Sequence, residues 1–330
     1  MTRIPSGHRR DGFILIVVLG AVLILSALLF GFNQTARTRL NTADGFQTME
    51  QVANGARTGL QIALAAIRDT DDLGTDSRFA GLLAGESTFP VEDAQCSLTV
   101  IDESGLLNVN RLKSADGQID RRSIDRLLRL IDLLNAQRKD PSKRIGYGIV
   151  PCIIDWIDSD DEVTCLPFVQ RENTGAEDGY YESLSPPGRC RNQPLDSVDD
   201  LFGVNGVTPE VLNRLRPYLT CAGDGKININ TAPDLVIQSL SEQIDGAMAQ
   251  IILNQRKLRP FESLPQIRSM PGMTDNVYRA IQGQIAVRPT ERFYRVRSQT
   301  STADRQCLVE ALLQRNTQAG TVDIVLYREM

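Results

Sequence analysis

Residues 13–32 read FILIVVLGAVLILSALLFGF, twenty consecutive positions without a charged side chain. At 1.5 Å per residue, a helix of this length spans roughly 30 Å, the thickness of the hydrocarbon core of a bilayer. Arg3, Arg9 and Arg10 precede the segment, and the residues that follow it begin polar. Because positively charged flanks stay in the cytoplasm, the sequence predicts a single-pass membrane protein whose C-terminal part is exported.

The helical pattern continues beyond this apolar segment. Apolar residues recur at steps of three and four, which marks one face of a helix: they are Phe46, Met49, Ala53, Ala56, Leu60, Ala63 and Ile67. No proline interrupts the chain from Phe13 to Arg68. We therefore predict one helix of roughly 80 Å, with its first half in lipid and its second half packed on a folded domain.

A short basic leader ends in Arg9-Arg10-Asp11-Gly12, directly before Phe13. This junction resembles the class III leader of type IV pilins and type II secretion pseudopilins. The resemblance implies that a prepilin peptidase cuts between Gly12 and Phe13 and that the new N-terminal Phe13 is methylated. The fifth residue after that cut is Val17, where most members of these families carry a glutamate that pairs with the N-terminus of a neighbouring subunit. Val17 therefore predicts a subunit at the end of a filament; the alternative is a tolerated substitution in a subunit of the shaft.

Strand patterns bracket the exported part of the chain. Five segments have them: 95–101, 106–109, 293–300, 306–314 and 322–328. The first two are predicted to form a hairpin around Glu103-Ser104-Gly105. Residues 112–287 between the two groups are chiefly helical in pattern, with a clear helix at 123–137. We predict an α+β fold, a long N-terminal helix packed on an antiparallel sheet with a large, mainly α-helical domain inserted between the strands.

Residues 155–182 carry nine carboxylates against one base, Arg171. Like charges this close repel unless solvent or a hard divalent cation with oxygen ligands neutralises them. The loop is not an EF-hand. If Asp158 is taken as position 1, the glycine required at position 6 is Val163 and the glutamate required at position 12 is Val169. A solvated acidic loop is the alternative, but aromatic residues interleave with the acids. We therefore predict a calcium site in which the fold brings two acidic groups together. The predicted ligands are Asp155, Asp158, Asp160, Asp161 and Glu162 from the first group and Glu177 and Asp178 from the second.

Six cysteines are widely spaced and include no Cys-x-x-Cys pair. This pattern favours disulfide bonds in an oxidising compartment over zinc or thioredoxin-like chemistry. The candidates, whose pairing stays open, are Cys96, Cys152, Cys165, Cys190, Cys221 and Cys307.

Composition also limits the classes of function. The net charge of −5 argues against a protein that coats nucleic acid. The only histidine is His8, so the exported part contains no histidine base. The chain also lacks a Gly-x-Ser-x-Gly elbow and a phosphate-binding loop. We predict an assembly protein without enzymatic activity or a small-molecule substrate.

Four blocks resemble, in order, the minor pseudopilin K (GspK) family of the type II secretion system: DWIDSDDE (155–162), GAEDGYYESLSPP (175–187), PLDSVDDLFGVNGVTPEVLNRLRPYLT (194–220) and ININTAP (227–233). The resemblance implies a pilin-like fold with an extra helical domain, calcium in the acidic region, and a place at the tip of a periplasmic pseudopilus. There the subunit would initiate assembly and support protein export across the outer membrane. It also implies a bacterial inner-membrane location.

The partners implied by this resemblance are the other minor pseudopilins of the I, J and H types, the major pseudopilin and the prepilin peptidase. The corresponding division of the chain is a leader (1–12), a transmembrane helix (13–32), a helix stem with the first strands (33–111), the inserted domain (112–288) and the C-terminal strands (289–330).

An alternative function comes from residues 201–215 and 267–281, which share an apolar-x-Gly-apolar turn followed by a helix. Both resemble helix-hairpin-helix motifs, such as those of competence-type DNA receptors. Residues 226–300 contain ten Lys or Arg against six acids. The alternative is a membrane-anchored DNA-binding protein of a competence or type IV pilus system. Gly206 and Gly272 are also explained by a tight turn between helices, so nucleic-acid binding is the less favoured hypothesis.

Overall fold

The long N-terminal helix is the first feature of the computed structural model, which describes residues 9–70, 85–91, 94–114, 116–138, 140–316 and 319–330. Helix α1 runs without interruption over Arg9–Asp69, which confirms the predicted continuous helix. It contains the one stretch of the described residues that is long and apolar enough to cross a membrane. Arg3 and His8 lie outside the described residues.

A five-stranded antiparallel sheet follows. Its strands are β1 (Ser87–Val91), β2 (Ala94–Asp102), β7 (Glu291–Ser301), β8 (Gln306–Asn316) and β9 (Thr321–Glu329), and they lie side by side in this order. The three predicted C-terminal strands are confirmed, each with slightly wider bounds. Strand β1 was not predicted from the sequence. β2 pairs directly with β7, although the chain between them is almost 190 residues long.

Helix α1 packs closely on this sheet because small residues face it. A side-chain carbon at Gly59 would lie 2.1 Å from Ser298 Oγ, and one at Gly55 would lie 2.8 Å from Thr300. The predicted residues Ala53, Ala56, Leu60, Ala63 and Ile67 are all buried in this core. Phe46 and Met49, which the same pattern predicted to be buried, are 72% and 39% exposed. The core between α1 and the sheet begins at Val52, so the buried part of the apolar face is shorter than predicted.

The domain inserted between β2 and β7 has its own core, which runs from Leu107 to Ile285. Its helices are α2 (Arg121–Ala136), α3 (Ile149–Ile157), α4 (Asp178–Glu182), α5 (Pro209–Leu215), α6 (Asp234–Ser239), α7 (Gly246–Leu258), α8 (Leu264–Arg268) and α9 (Asp275–Ile281). Two short parallel pairs of strands tie them together, β3 (Leu107–Asn108) with β4 (Leu219–Thr220) and β5 (Ile227–Asn228) with β6 (Ile285–Ala286). The predicted insertion of a helical domain between the strands is confirmed.

The predicted hairpin of 95–101 with 106–109 is wrong. β2 pairs with β1 and β7, whereas Leu107–Asn108 pairs in parallel with Leu219–Thr220. The turn at Glu103–Gly105 is a short 3-10 helix that carries the chain into the inserted domain. Gly105 packs against Thr231 and Ala232, where a side-chain carbon would lie 2.8 Å from backbone atoms. The turn residues Glu103–Gly105 therefore lead the chain into the inserted domain and do not form a hairpin.

Buried polar contacts fix the inserted domain on the sheet. Asp102, at the end of β2, accepts hydrogen bonds from Asn228 Nδ2 at 3.0 Å and from Thr231 Oγ1 at 2.9 Å. Glu103 is 2% exposed, forms an ion pair with Arg295 and accepts a hydrogen bond from Thr220. Burial raises the pKa of Glu103 despite the opposing field of Arg295.

The inserted domain lies at the end of the sheet where α1 terminates. Arg315 Nη1 donates to the carbonyl of Ile67 at 2.6 Å, near the last turn of α1. In the sheet register, Arg315 on β8 lies opposite Arg292 on β7, next to the point where the chain returns from the inserted domain. The long helix therefore carries the inserted domain at the end opposite to its apolar segment.

Candidate metal centre

Three carboxylates from both predicted acidic groups meet in the inserted domain. Asp155 lies in the last turn of α3 and Asp158 is the residue that ends this helix. Glu177 precedes the first residue of α4. Each of the three offers a carboxylate oxygen, and these oxygens lie within 4.8 Å of one another. The loop between α3 and α4 thus folds two separate segments of sequence onto one point.

Four oxygens of this cluster are buried without a hydrogen-bond donor: Asp155 Oδ2, Asp158 Oδ1, Glu177 Oε1 and Glu177 Oε2. The residues that carry them are 0%, 8% and 5% exposed, in that order. Buried carboxylate oxygens are normally paired, since removing a charge from water without compensation is costly. The arrangement therefore fits a bound cation.

The pKa values of the three carboxylates also favour a bound cation. Burial, reinforced by Asp155 and Asp158, raises the pKa of Glu177 from 4.5 to about 7. Burial also raises the pKa of Asp155, against a hydrogen bond from Thr164, and that of Asp158, against Lys113. All three acids are harder to ionise here than in water, chiefly because burial disfavours the charged form, and for Asp158 and Glu177 neighbouring carboxylates add to this effect.

The backbone around Asp155 is shaped for this carboxylate. Thr164 N–H donates to Asp155 Oδ1 at 2.9 Å. Gly175 N–H donates to the carbonyl of Thr164 at 2.9 Å, which closes the loop beneath the carboxylate. A side-chain carbon at Gly175 would lie 2.0 Å from Asp155 Oδ2. Glycine is required at this position by the close approach, a requirement that the sequence pattern did not reveal.

Lys113 is a second residue that the sequence analysis missed. Its Nζ donates to Asp158 Oδ2 at 2.6 Å and to Asp160 Oδ2 at 2.8 Å. Burial alone would lower the pKa of Lys113, but the hydrogen bonds to these two aspartates raise it overall. Lys113 is 45 residues from Asp158 in sequence, so no local pattern connects the two.

The other predicted ligands lie outside the three-carboxylate cluster. Asp160 pairs with Lys113 and is half exposed. Asp161 accepts a hydrogen bond from Asn192 Nδ2 at 3.4 Å, and Asp178 accepts one from the backbone N–H of Cys190 at 2.6 Å. Glu162 is exposed. The calcium role assigned to these four residues stays a prediction.

The chemistry of the donor set selects among cations. All three side chains offer oxygen, whereas structural zinc sites are built mostly from cysteine and histidine. Both oxygens of Glu177 lack a donor, so this residue is available as a bidentate ligand of the kind common in calcium sites. Magnesium instead keeps several waters and seldom occupies an all-protein cage. The residues present fit calcium best.

All six cysteines are free in the structure, so the predicted disulfide bonds are not formed in it. Cys96 lies on β2 and Cys307 on β8, with β7 between them. Two strand spacings separate them by roughly 9–10 Å, more than a disulfide can bridge. Cys165 is exposed, while Cys190 Sγ contacts the carbonyl of Asp155 at 3.2 Å. The spacing across β7 excludes a bond between Cys96 and Cys307, and the pairing of the other candidates stays a prediction.

The two turns that suggested DNA binding have a structural explanation. Gly206 and Gly272 adopt φ angles of 84° and 83°, a conformation that favours glycine. Each turn is followed by a helix whose first N–H groups are capped by a threonine, Thr208 for α5 and Thr274 for α9. The repeated pattern therefore reflects two similar helix connections.

Comparisons with known proteins agree with this architecture. Two family models, both described as type II secretion system protein K, match residues 105–224 and 227–288 and together cover more than half of the chain. The chain is 28% identical over 240 residues to the type II secretion system protein K of Aeromonas hydrophila, with 69% of each chain covered. It is 25% identical over 297 residues to the Klebsiella pneumoniae protein K, with 87% of each chain covered.

Among solved structures, the fold is similar to a chain of the GspK-GspI-GspJ complex from the type 2 secretion system of enterotoxigenic Escherichia coli. The TM-score is 0.64 at 19% sequence identity, and the match covers 88% of this chain and 99% of that chain. This likeness confirms the α+β fold, a long N-terminal helix on an antiparallel sheet with a helical domain inserted.

Proposed function

The chain belongs to the type II secretion system protein K family, and from this premise we propose that it is a non-enzymatic minor pseudopilin at the tip of a pseudopilus. There it initiates assembly and supports protein export across the outer membrane. A role as a pseudopilin of this secretion system follows from the family itself. The position in the filament and the order of assembly are the proposal.

The observation that carries the tip position is the location of the inserted domain. This domain lies where α1 ends, opposite to the apolar segment, and occupies most of the chain between Asp102 and Glu291. In a filament held together by long parallel helices, such a bulky domain obstructs the stacking of another subunit beyond it. A subunit with nothing above it meets no such obstacle.

Val17 supports the same position. A glutamate at this place in an ordinary pseudopilin pairs with the N-terminal ammonium of a neighbouring chain inside an apolar bundle. An unpaired charge is costly there, and valine cannot form the pair. Val17 lies in the apolar part of α1, within the candidate membrane span. A terminal subunit has no neighbour's ammonium to neutralise.

The proposed partners follow from the same family. The solved relative comes from a GspK-GspI-GspJ complex, and we extend that assembly to the I, J and H types of minor pseudopilin and to the major pseudopilin. Prepilin peptidase would cut between Gly12 and Phe13, and Phe13 would then be methylated. Arg9 and Arg10 before the apolar segment favour a single pass through the inner membrane with the folded domains in the periplasm.

Calcium is proposed as the ion of the three-carboxylate cluster. It would supply the positive charge that lets Asp155, Asp158 and Glu177 stay ionised together. The chain's own contribution is to orient the carboxylates: α3 presents two of them, Gly175 leaves room for Asp155, and the start of α4 presents Glu177. The ion thereby fastens the loop between α3 and α4.

Immunogold labelling of overproduced pseudopili tests the tip position. Antibody against this chain should label one end of each filament, while antibody against the major pseudopilin labels the whole length as a control. Label from the first antibody distributed along the shaft would contradict a terminal role.

A further inference from the structure

Lys113 forms ion pairs at the edge of the three-carboxylate cluster. Its ammonium contacts Asp158 Oδ2 at 2.6 Å and Asp160 Oδ2 at 2.8 Å, and its side chain is only 14% exposed. It lies on the segment between β3 and α2, where it forms an isolated bridge with Ile119. A separate part of the inserted domain therefore brings a fixed positive charge to the acidic loop.

The two oxygens of Asp158 have different environments. Oδ2 accepts from Lys113, whereas Oδ1 is buried with no donor. A carboxylate held by one oxygen has its orientation fixed, so the other oxygen stays available to a cation. Lys113 thus acts on the cluster both by positioning Asp158 and by its charge.

We propose that Lys113 sets the ion selectivity of the cluster, matching it to a divalent cation. This inference rests on the calcium role proposed above. Asp155, Asp158 and Glu177 carry three negative charges when ionised, and Lys113 carries one positive charge. A divalent cation then leaves the buried site with no net charge, which is the cheapest state for a desolvated cluster. Asp160 adds little, because its side chain is 49% exposed and screened by water.

Neutralising Lys113 should therefore shift the preference toward a trivalent ion. Loss of positioning weakens the binding of any cation, but loss of the charge favours the ion with the higher charge. The ratio of terbium affinity to calcium affinity separates the two effects. Coulomb's law for unit charges about 5 Å apart, at effective dielectric constants between about 20 and 80, gives a change in this ratio of roughly fourfold to a few hundredfold.

The test uses the full-length protein in detergent micelles. Terbium binding is followed by luminescence sensitised by Trp156, the single tryptophan, which lies between Asp155 and Asp158 in the chain. Calcium affinity is measured by competition. The terbium-to-calcium ratio should rise at least about fourfold in Lys113→Met and stay near the wild-type value in Lys113→Arg, which keeps the charge. Lys226→Met, at an exposed lysine, is the matched control.

The outcomes are distinguishable. Wild-type protein that binds neither ion would contradict the calcium proposal itself. Wild-type protein that binds both, with an unchanged ratio in Lys113→Met, would overturn the role of Lys113 alone. If Lys113→Met or Lys113→Gln melts below wild type in calcium, saturating terbium should restore its melting temperature, and failure to do so would also overturn the role.

Discussion

Replacing Glu177 by glutamine should stabilise the metal-free protein and abolish its stabilisation by calcium. Glu177 is 5% exposed, both of its carboxylate oxygens lack donors, and it lies beside Asp155 and Asp158. Glutamine keeps the size of the side chain and removes its charge. The same change therefore removes a buried charge and its repulsion by Asp155 and Asp158 when the ion is absent, and it removes a ligand when the ion is present.

The magnitude follows from the pKa of Glu177, which rises from 4.5 to about 7 in the folded protein. Because the folded state holds this proton more tightly than the unfolded chain does, the penalty is absent below the unfolded pKa. It grows as the pH rises and is complete above the folded pKa. Each tenfold change in an acid constant corresponds to about 1.4 kcal/mol, so at pH ~8 the penalty is about 3 kcal/mol. Its removal should raise the melting temperature by about 6–12 °C.

The assay is thermal unfolding of the full-length protein in micelles at mildly alkaline pH, followed by Trp156 fluorescence. Wild-type protein should melt higher in millimolar calcium than in excess chelator, because the ion binds the folded state. Glu177→Gln should melt above wild type in chelator and gain nothing from calcium. Glu182→Gln, an exposed glutamate five residues away, should behave like wild type in both conditions.

Two results would refute this reasoning. If Glu177→Gln melts below wild type in chelator, the carboxylate makes stabilising contacts and is not a source of repulsion. If the variant gains as much from calcium as wild type does, Glu177 is not a ligand of the ion. An unchanged wild-type melting curve between chelator and calcium would contradict the calcium proposal as a whole.

Three further predictions concern the pH dependence, the stem and the leader. Calcium affinity, measured by isothermal titration, should rise about tenfold between pH ~6 and pH ~8, because the ion must displace a proton from Glu177; a flat profile would contradict this. Gly59→Val should destabilise the packing of α1 on the sheet by about 1–3 kcal/mol, measured by circular dichroism melting. Gly45→Val should reduce stability less, because a side chain at position 45 would meet only the flexible end of Arg305. Gly12→Val should leave an uncleaved precursor on immunoblots, and an N-terminus still found at Phe13 would show that the leader is misassigned.

Much of the candidate site was predictable because its residue types are unusual. A density of nine carboxylates against one base between Asp155 and Glu182 indicates a cation without knowledge of the fold. Which of the seven predicted ligands come together depends on how the loop closes between α3 and α4. Asp160 turns to Lys113 and Asp178 to the backbone of Cys190. These choices follow from contacts distant in sequence, which periodicity cannot reveal.

The sequence by itself determined the elements that local forces dominate. The apolar run 13–32 and the three-and-four spacing after it specify a helix, because they place apolar side chains on one face whatever lies opposite. Alternation specified the three C-terminal strands for the same reason. Only the tertiary structure decided that residues 106–109 lie outside the sheet, that Phe46 is exposed, and that Lys113 and Gly175 contact the three-carboxylate cluster. Those outcomes depend on which surfaces meet once the inserted domain docks on the stem, and docking is set by shape and charge over the whole chain.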